Sequence, residues 1–199
     1  MTYYRAAFRP DGKVALVTGA ARGIGAKVAV ALAQSGARVL MTDILATEGA
    51  ATAARINATG GRCEFFKHEV TDEAQWEAAV AAAVDRFRSL DVLVNNAGIE
   101  TAALLTQCEA GDFRRVMEVN VTGVFLGLKP AVRAMSPGGK GGRGGSIVKL
   151  SSIAGMIGTT AHNACHSSKG AVRSMTKAAD VSKWTTGSEI VLDGGLTAA

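Results

Sequence analysis

Val14-Ala-Leu-Val-Thr18-Gly-Ala-Ala-Arg-Gly-Ile-Gly25 is the stretch on which the reading of this sequence turns. A short apolar run breaks into a glycine-rich turn, and a helical pattern follows to about Ser35, where Gly36 stands in the usual terminating position. Between a strand and a helix the three glycines have separate uses. Gly19 permits a tight turn, Gly23 lets the backbone approach a pyrophosphate, and Gly25 lets helix and strand pack closely. Arg22 and Ile24 fill the turn between them. The bare N–H groups and dipole of the helix N-terminus favour negative charge. The motif alone is equally consistent with a glycine turn that holds no ligand.

Working outward, the second strand reads Arg38-Val-Leu-Met-Thr-Asp43. It brings Asp43 to a strand end about 20 residues past the glycines, where a carboxylate accepts the ribose hydroxyls of an adenosine. The same carboxylate repels a 2′-phosphate, so NAD is favoured over NADP. Arg22 argues the other way, and a solvated Asp43 is the alternative.

The pattern then alternates strictly. The sequence predicts helices over 46–58, 72–87, 112–135 and 163–179, with strands over 62–70, 91–95, 146–150 and 189–192. Asp72 with Gln75 resembles a capping box. Val116, Val119, Val124, Leu128 and Val132 recur at helical spacing. Six strands alternating with five helices, joined by right-handed crossovers, predict an α/β fold of Rossmann type. This is a doubly wound parallel sheet covered on both faces, in a single domain over 1–199.

Composition narrows the classes. Of the 199 residues 48% are apolar and 20% charged, ordinary for a globular chain. The net charge of +5 is scattered rather than gathered into a patch, which argues against nucleic acid. The three cysteines, Cys63, Cys108 and Cys165, fit reduced thiols in the cytoplasm better than a disulfide framework. Residues 1–13 form no secretory signal, and no run reaches the ~20 apolar residues of a membrane span. His162 and His166 have no carboxylate or thiol at ligand spacing, so no metal is expected. Trp76 and Trp184 read as packing residues.

Together with the glycine turn, Asn95-Asn-Ala-Gly98, Asn120 in Asn-Val-Thr-Gly, Ser151-Ser152 and Thr186-Gly-Ser-Glu-Ile-Val-Leu-Asp-Gly-Gly195 make the chain similar to the classical short-chain dehydrogenases/reductases. The resemblance implies hydride transfer between NAD(P) and a secondary alcohol or ketone. It implies that Asn96, Ala97 and Gly98 line the cofactor site, and that Glu69-Val70 stands for the acidic pair near the adenine. It implies that Ser152 orients the substrate oxygen, that Asn120 serves a proton relay, and that Lys169 is the lysine of Tyr-x-x-x-Lys. It also implies homo-oligomers formed through helices 112–135 and 163–179.

Two departures stand out. The tyrosine position falls on Cys165. A phenol oxygen lies roughly 6.5 Å from its own Cα and a thiol sulfur roughly 2.8 Å, so the thiol stops about 3–4 Å short of a substrate placed for tyrosine. His166, one helical position on, points about 100° away. Between 179 and 180 some fifty residues of the family pattern, about a quarter of a domain, are missing, including most of the substrate pocket. A catalytically silent NAD-binding protein is therefore the rival expectation.

Overall fold

The computed structural model describes residues 10–140, 142, 144–178, 187–193 and 196–197. Five parallel strands form one sheet in the order β3-β2-β1-β4-β5. They are β1 (Val14–Thr18), β2 (Arg38–Asp43), β3 (Arg62–Lys67), β4 (Val92–Asn95) and β5 (Ser146–Lys149). The helices are α1 (Gly23–Gln34), α2 (Ala46–Ala58), α3 (Glu73–Phe87), α4 (Ala110–Met117), α5 (Gly123–Met135) and α6 (Asn163–Ala178).

Strand alternation divides the core between the two faces. Leu16, Leu40 and Leu93 face Trp76, Ala79, Val80, Ala83 and Ala131 of α3 and α5. Val17, Val39, Met41 and Val94 face Ala29, Ala33, Ala53 and Ile56 of α1 and α2. A sheet buried on both sides explains why β1 is apolar throughout, with all five residues buried. The strand order reverses at β1, between β2 and β4. That is the switch point at which ligands bind in folds of this kind, outside the carboxyl ends of the strands.

The expected sixth strand is absent. Residues 189–192 form no strand, and Ile190 and Leu192 are 84% and 92% exposed. The local pattern suits a strand, but Glu189 is held on α6 instead. Arg173 donates to its carboxylate at 2.7 and 3.1 Å, and Lys177 stands 4.0 Å away. The third strand stops at Lys67, three residues early. The long helix expected over 112–135 begins at Ala110 and is interrupted by a π-helical turn, Glu118–Thr122. The junction at 179–180 lies outside the described residues.

Candidate active site

The glycine turn is shaped by contacts that only glycine allows. A Cβ on Gly19 would stand 2.7 Å from Ala97 Cα, and one on Gly25 would stand 2.3 Å from the Gly19 carbonyl. Gly23 is different: its φ is +60° and a Cβ there would meet nothing within 4 Å. The turn therefore opens toward free space in front of α1. Arg22 is the N-cap residue but offers no side-chain cap, and the first turn of α1 carries no acid. Its leading amides are left for an outside acceptor. Ile24 is two-thirds exposed beside them.

Asp43 lies against this turn. One carboxylate oxygen accepts the Ala21 N–H at 3.0 Å and the other accepts the Leu45 N–H at 3.0 Å. Each oxygen keeps a further lone pair. Thr18, which the sequence reading passed over, ties β1 to the strand beside it. Its Oγ accepts the N–H groups of Asn96 at 3.1 Å and Ala97 at 3.0 Å. The Asn96 amide donates to the carbonyls of Thr18 and Gly19. Asn95 is buried, and neither end of its amide has a hydrogen-bond partner.

Glu69 and Val70 follow β3 in a turn set by the α3 cap. Asp72 accepts the Gln75 N–H at 3.1 Å, and the Gln75 side chain accepts the Glu69 N–H at 2.9 Å. Beside them His68 is buried against Trp76, ring centroids 4.5 Å apart. Burial pushes the His68 pKa down to about 4, against the opposing pull of Asp72.

On the other side of β4, the π-helical turn presents Asn120 inward. Its Oδ1 accepts the Ile99 N–H at 2.8 Å, and its amide donates to the Ile99 carbonyl at 2.9 Å and to Ser168 Oγ at 3.0 Å. Ser168 in turn donates to the Cys165 carbonyl at 2.9 Å. This chain of bonds fixes α6 against the loop after β4. Lys169 Nζ donates to the Leu150 carbonyl at 2.8 Å. A Cβ on Gly98 would lie 3.2 Å from Asn120 Oδ1 and 3.8 Å from Lys169 Nζ, so these three residues meet. Ser152 caps the short turn Ile153–Gly155 by accepting the Ala154 N–H at 3.2 Å, which leaves its own O–H free to donate. That turn packs on the Lys169 backbone, where a Cβ on Gly155 would come within 2.9 Å.

Cys165 lies one helical turn before Lys169. Burial, then the Glu100 carboxylate, push its thiol up, and Lys169 opposes them. Burial holds the Lys169 ammonium below its usual range. Ser168 and Thr18 were not singled out from sequence, because a hydroxyl that braces backbone carries no spacing signal.

The short chain dehydrogenase family model matches residues 13–187. The chain belongs to the short-chain dehydrogenase family. This short-chain dehydrogenase is 46% identical over 179 residues to the trans-4-hydroxycyclohexanecarboxylate dehydrogenase of Sinomonas cyclohexanicum, covering 87% of this chain and 67% of that one. It is 43% identical over 166 residues to the 3-alpha-(or 20-beta)-hydroxysteroid dehydrogenase of Mycobacterium tuberculosis, covering 83% and 61%. The crystal structure of a dehydrogenase/reductase from Sinorhizobium meliloti 1021 superposes with a TM-score of 0.83 at 32% identity, covering 89% and 69%. The chain thus spans between 61% and 69% of the length of these proteins.

Proposed function

We propose that this chain binds NAD(H) and transfers a hydride between it and a secondary alcohol or the matching ketone, with ring alcohols the first class to test. The observation that carries this is the open glycine turn. Gly23 faces free space at uncapped helix amides while Asp43 is clamped to Ala21 beside it. A Cβ would fill that cradle, and a diphosphate fits it. The backbone of Gly19, Arg22, Gly23, Ile24 and Gly25 would hold the diphosphate, and Asp43 the adenosine ribose. Glu69 and Val70 would border the adenine, and Asn96, Ala97 and Gly98 the far side. Bound there, NAD supplies the hydride acceptor.

Toward substrate, the free Ser152 O–H orients the reacting oxygen, and Lys169 and Asn120 border the same space. NAD is preferred to NADP because Asp43 is fixed by two N–H groups, whereas Arg22 is exposed. A cytoplasmic homo-oligomer joined through α4, α5 and α6 agrees with Phe125, half exposed on α5. No described helix is long and apolar enough to cross a membrane. Nucleic acid has no place in this reading.

The buried Cys165 thiol favours a second reading, a dinucleotide-binding subunit without turnover. NADH titration followed by initial rates with NAD and trans-4-hydroxycyclohexanecarboxylate separates the two. Binding with turnover supports the proposal, binding without turnover supports the second reading, and absence of NADH binding overturns both.

A further inference from the structure

Cys165 leaves the proton-handling position short, and the side chains around it point to the group that takes over. A helical side chain leans toward its own N-terminus and covers the turn before it. A long side chain at 165 would therefore extend over residue 162. His162 stands there, immediately before α6, its carbonyl accepting the His166 N–H at 2.9 Å. His162 precedes the helix, and Glu100, which it faces, also lies close enough to Cys165 to act on its thiol.

The loop after β4 closes on this histidine. The Ala103 N–H donates to the Ala161 carbonyl at 2.8 Å, and Ala103 bridges His162 in parallel. Glu100 Oε1 lies 2.6 Å from His162 Nδ1. The pair makes no hydrogen bond, and Nδ1 is buried in contact with the carboxylate. The side chain as a whole keeps 34% of its surface open, and that open part lies elsewhere than at Nδ1.

The neighbouring groups are otherwise engaged. His166 uses both ring nitrogens, with Nδ1 at 2.6 Å from the Ala154 carbonyl and Nε2 accepting the Thr159 N–H at 3.1 Å. Lys169 is tethered to the Leu150 carbonyl by one of its N–H groups, and Cys165 is short and buried.

We propose that His162 is the catalytic residue that exchanges the substrate proton in place of a phenol at 165, with Glu100 as its positioning residue. This rests on the oxidoreductase reading above. In alcohol oxidation a bound, oxidised nicotinamide dinucleotide would accept the carbon-bound hydrogen with its electron pair. The hydroxyl proton passes to His162 Nε2, and the electron pair of that O–H bond becomes the second carbonyl bond. Reduction runs the same steps backward from the imidazolium. A carboxylate at Nδ1 fixes the tautomer that leaves Nε2 bare, as carboxylate–histidine pairs do elsewhere.

The test has two arms. With NAD and trans-4-hydroxycyclohexanecarboxylate, His162→Gln should lower kcat by ~10²-fold or more, the usual scale of general acid–base help, while NADH affinity holds. In a Cys165→Tyr background the same substitution should cost less than tenfold, because the phenol then carries the proton. Nitrogen chemical shifts of the histidine rings in the cofactor-free wild-type chain should show His162 protonated at Nδ1. In Glu100→Gln that preference should be lost.

A drop of less than tenfold in His162→Gln, or a wild-type ring protonated at Nε2, overturns this inference alone. A wild-type chain that binds NADH but turns over nothing overturns the oxidoreductase reading and the role of His162 with it.

Discussion

The two ends of the strand reversal carry different amounts of order. On the β1–β2 side, the glycine turn, Asp43, Thr18 and Asn96 bind one another by short backbone-directed contacts, and the remaining capacity faces open space. On the β5–α6 side, Asn120, Ser168 and Lys169 spend their hydrogen bonds bracing backbone. Cys165, which the proposed function puts at the proton-handling position, is a short buried thiol. Family membership therefore divides unevenly. On the proposed function, the dinucleotide half would keep its chemistry in the main chain, where few substitutions reach it, and the reacting half would keep its chemistry in single side chains.

The largest effects should come from the turn itself. Gly25→Val drives a side chain into the Gly19 carbonyl and the Asn96 amide, at 2.3 and 2.4 Å for the Cβ alone. We expect NADH affinity to fall by ~10²-fold or more and stability by about 1–3 kcal/mol, the usual cost of overpacking. Isothermal titration and urea unfolding read the two. Gly23→Ala sharpens the contrast, because it meets no protein atom and costs only the roughly 1–2 kcal/mol of a left-handed backbone. Its loss of NADH affinity should exceed what that strain explains.

On the other side, Cys165→Tyr should change kcat by less than about tenfold while His162 is present and raise it at least about tenfold in a His162→Gln background, with NADH affinity unchanged, since the phenol then replaces the lost proton carrier. Steady-state rates check this, and no gain from Cys165→Tyr in the His162→Gln background would place the limiting defect elsewhere in the substrate half.

How much of this was legible in the sequence follows from where the signal sits. The glycine turn, the Asp72 cap and the alternating apolar runs are local, and they placed four of the five strands to within a residue or so. The π-helical turn at Glu118–Thr122 was invisible, because one extra residue in a turn carries no spacing signal while Val116, Val124 and Leu128 stay buried. The run 189–192 has strand-like residues, but a pairing with Arg173, 16 positions away, decides where it lies. Glu100 and His162 are separated by 62 positions in the chain and meet only through the bridge at Ala103. No spacing rule reaches that far.

Smaller effects refine the comparison. Asp43→Ala should weaken NADH binding about tenfold, the scale of a charge-assisted hydrogen bond, and narrow the preference over NADPH. Paired titrations with the two dinucleotides measure it. His68 supplies a pH test of the same half. Its folded pKa, pushed down to about 4 by burial, lies below the ordinary 6.5 of the free side chain. The unfolded chain therefore binds the proton first, and stability present above pH 6.5 is lost as pH falls toward 4. Between pH 7.5 and 5.5 this group should cost about 1 kcal/mol. Denaturant unfolding at the two values checks it, and His68→Phe should flatten the dependence.

On the proposed function, the first crossover holds a nicotinamide dinucleotide in this chain with Cys165 in place. Titrating the wild-type protein with NADH and following the nicotinamide fluorescence tests it directly. Saturable binding in the micromolar range is expected, with NADPH at least tenfold weaker. No saturation up to millimolar NADH, from a chain that unfolds cooperatively, would contradict it.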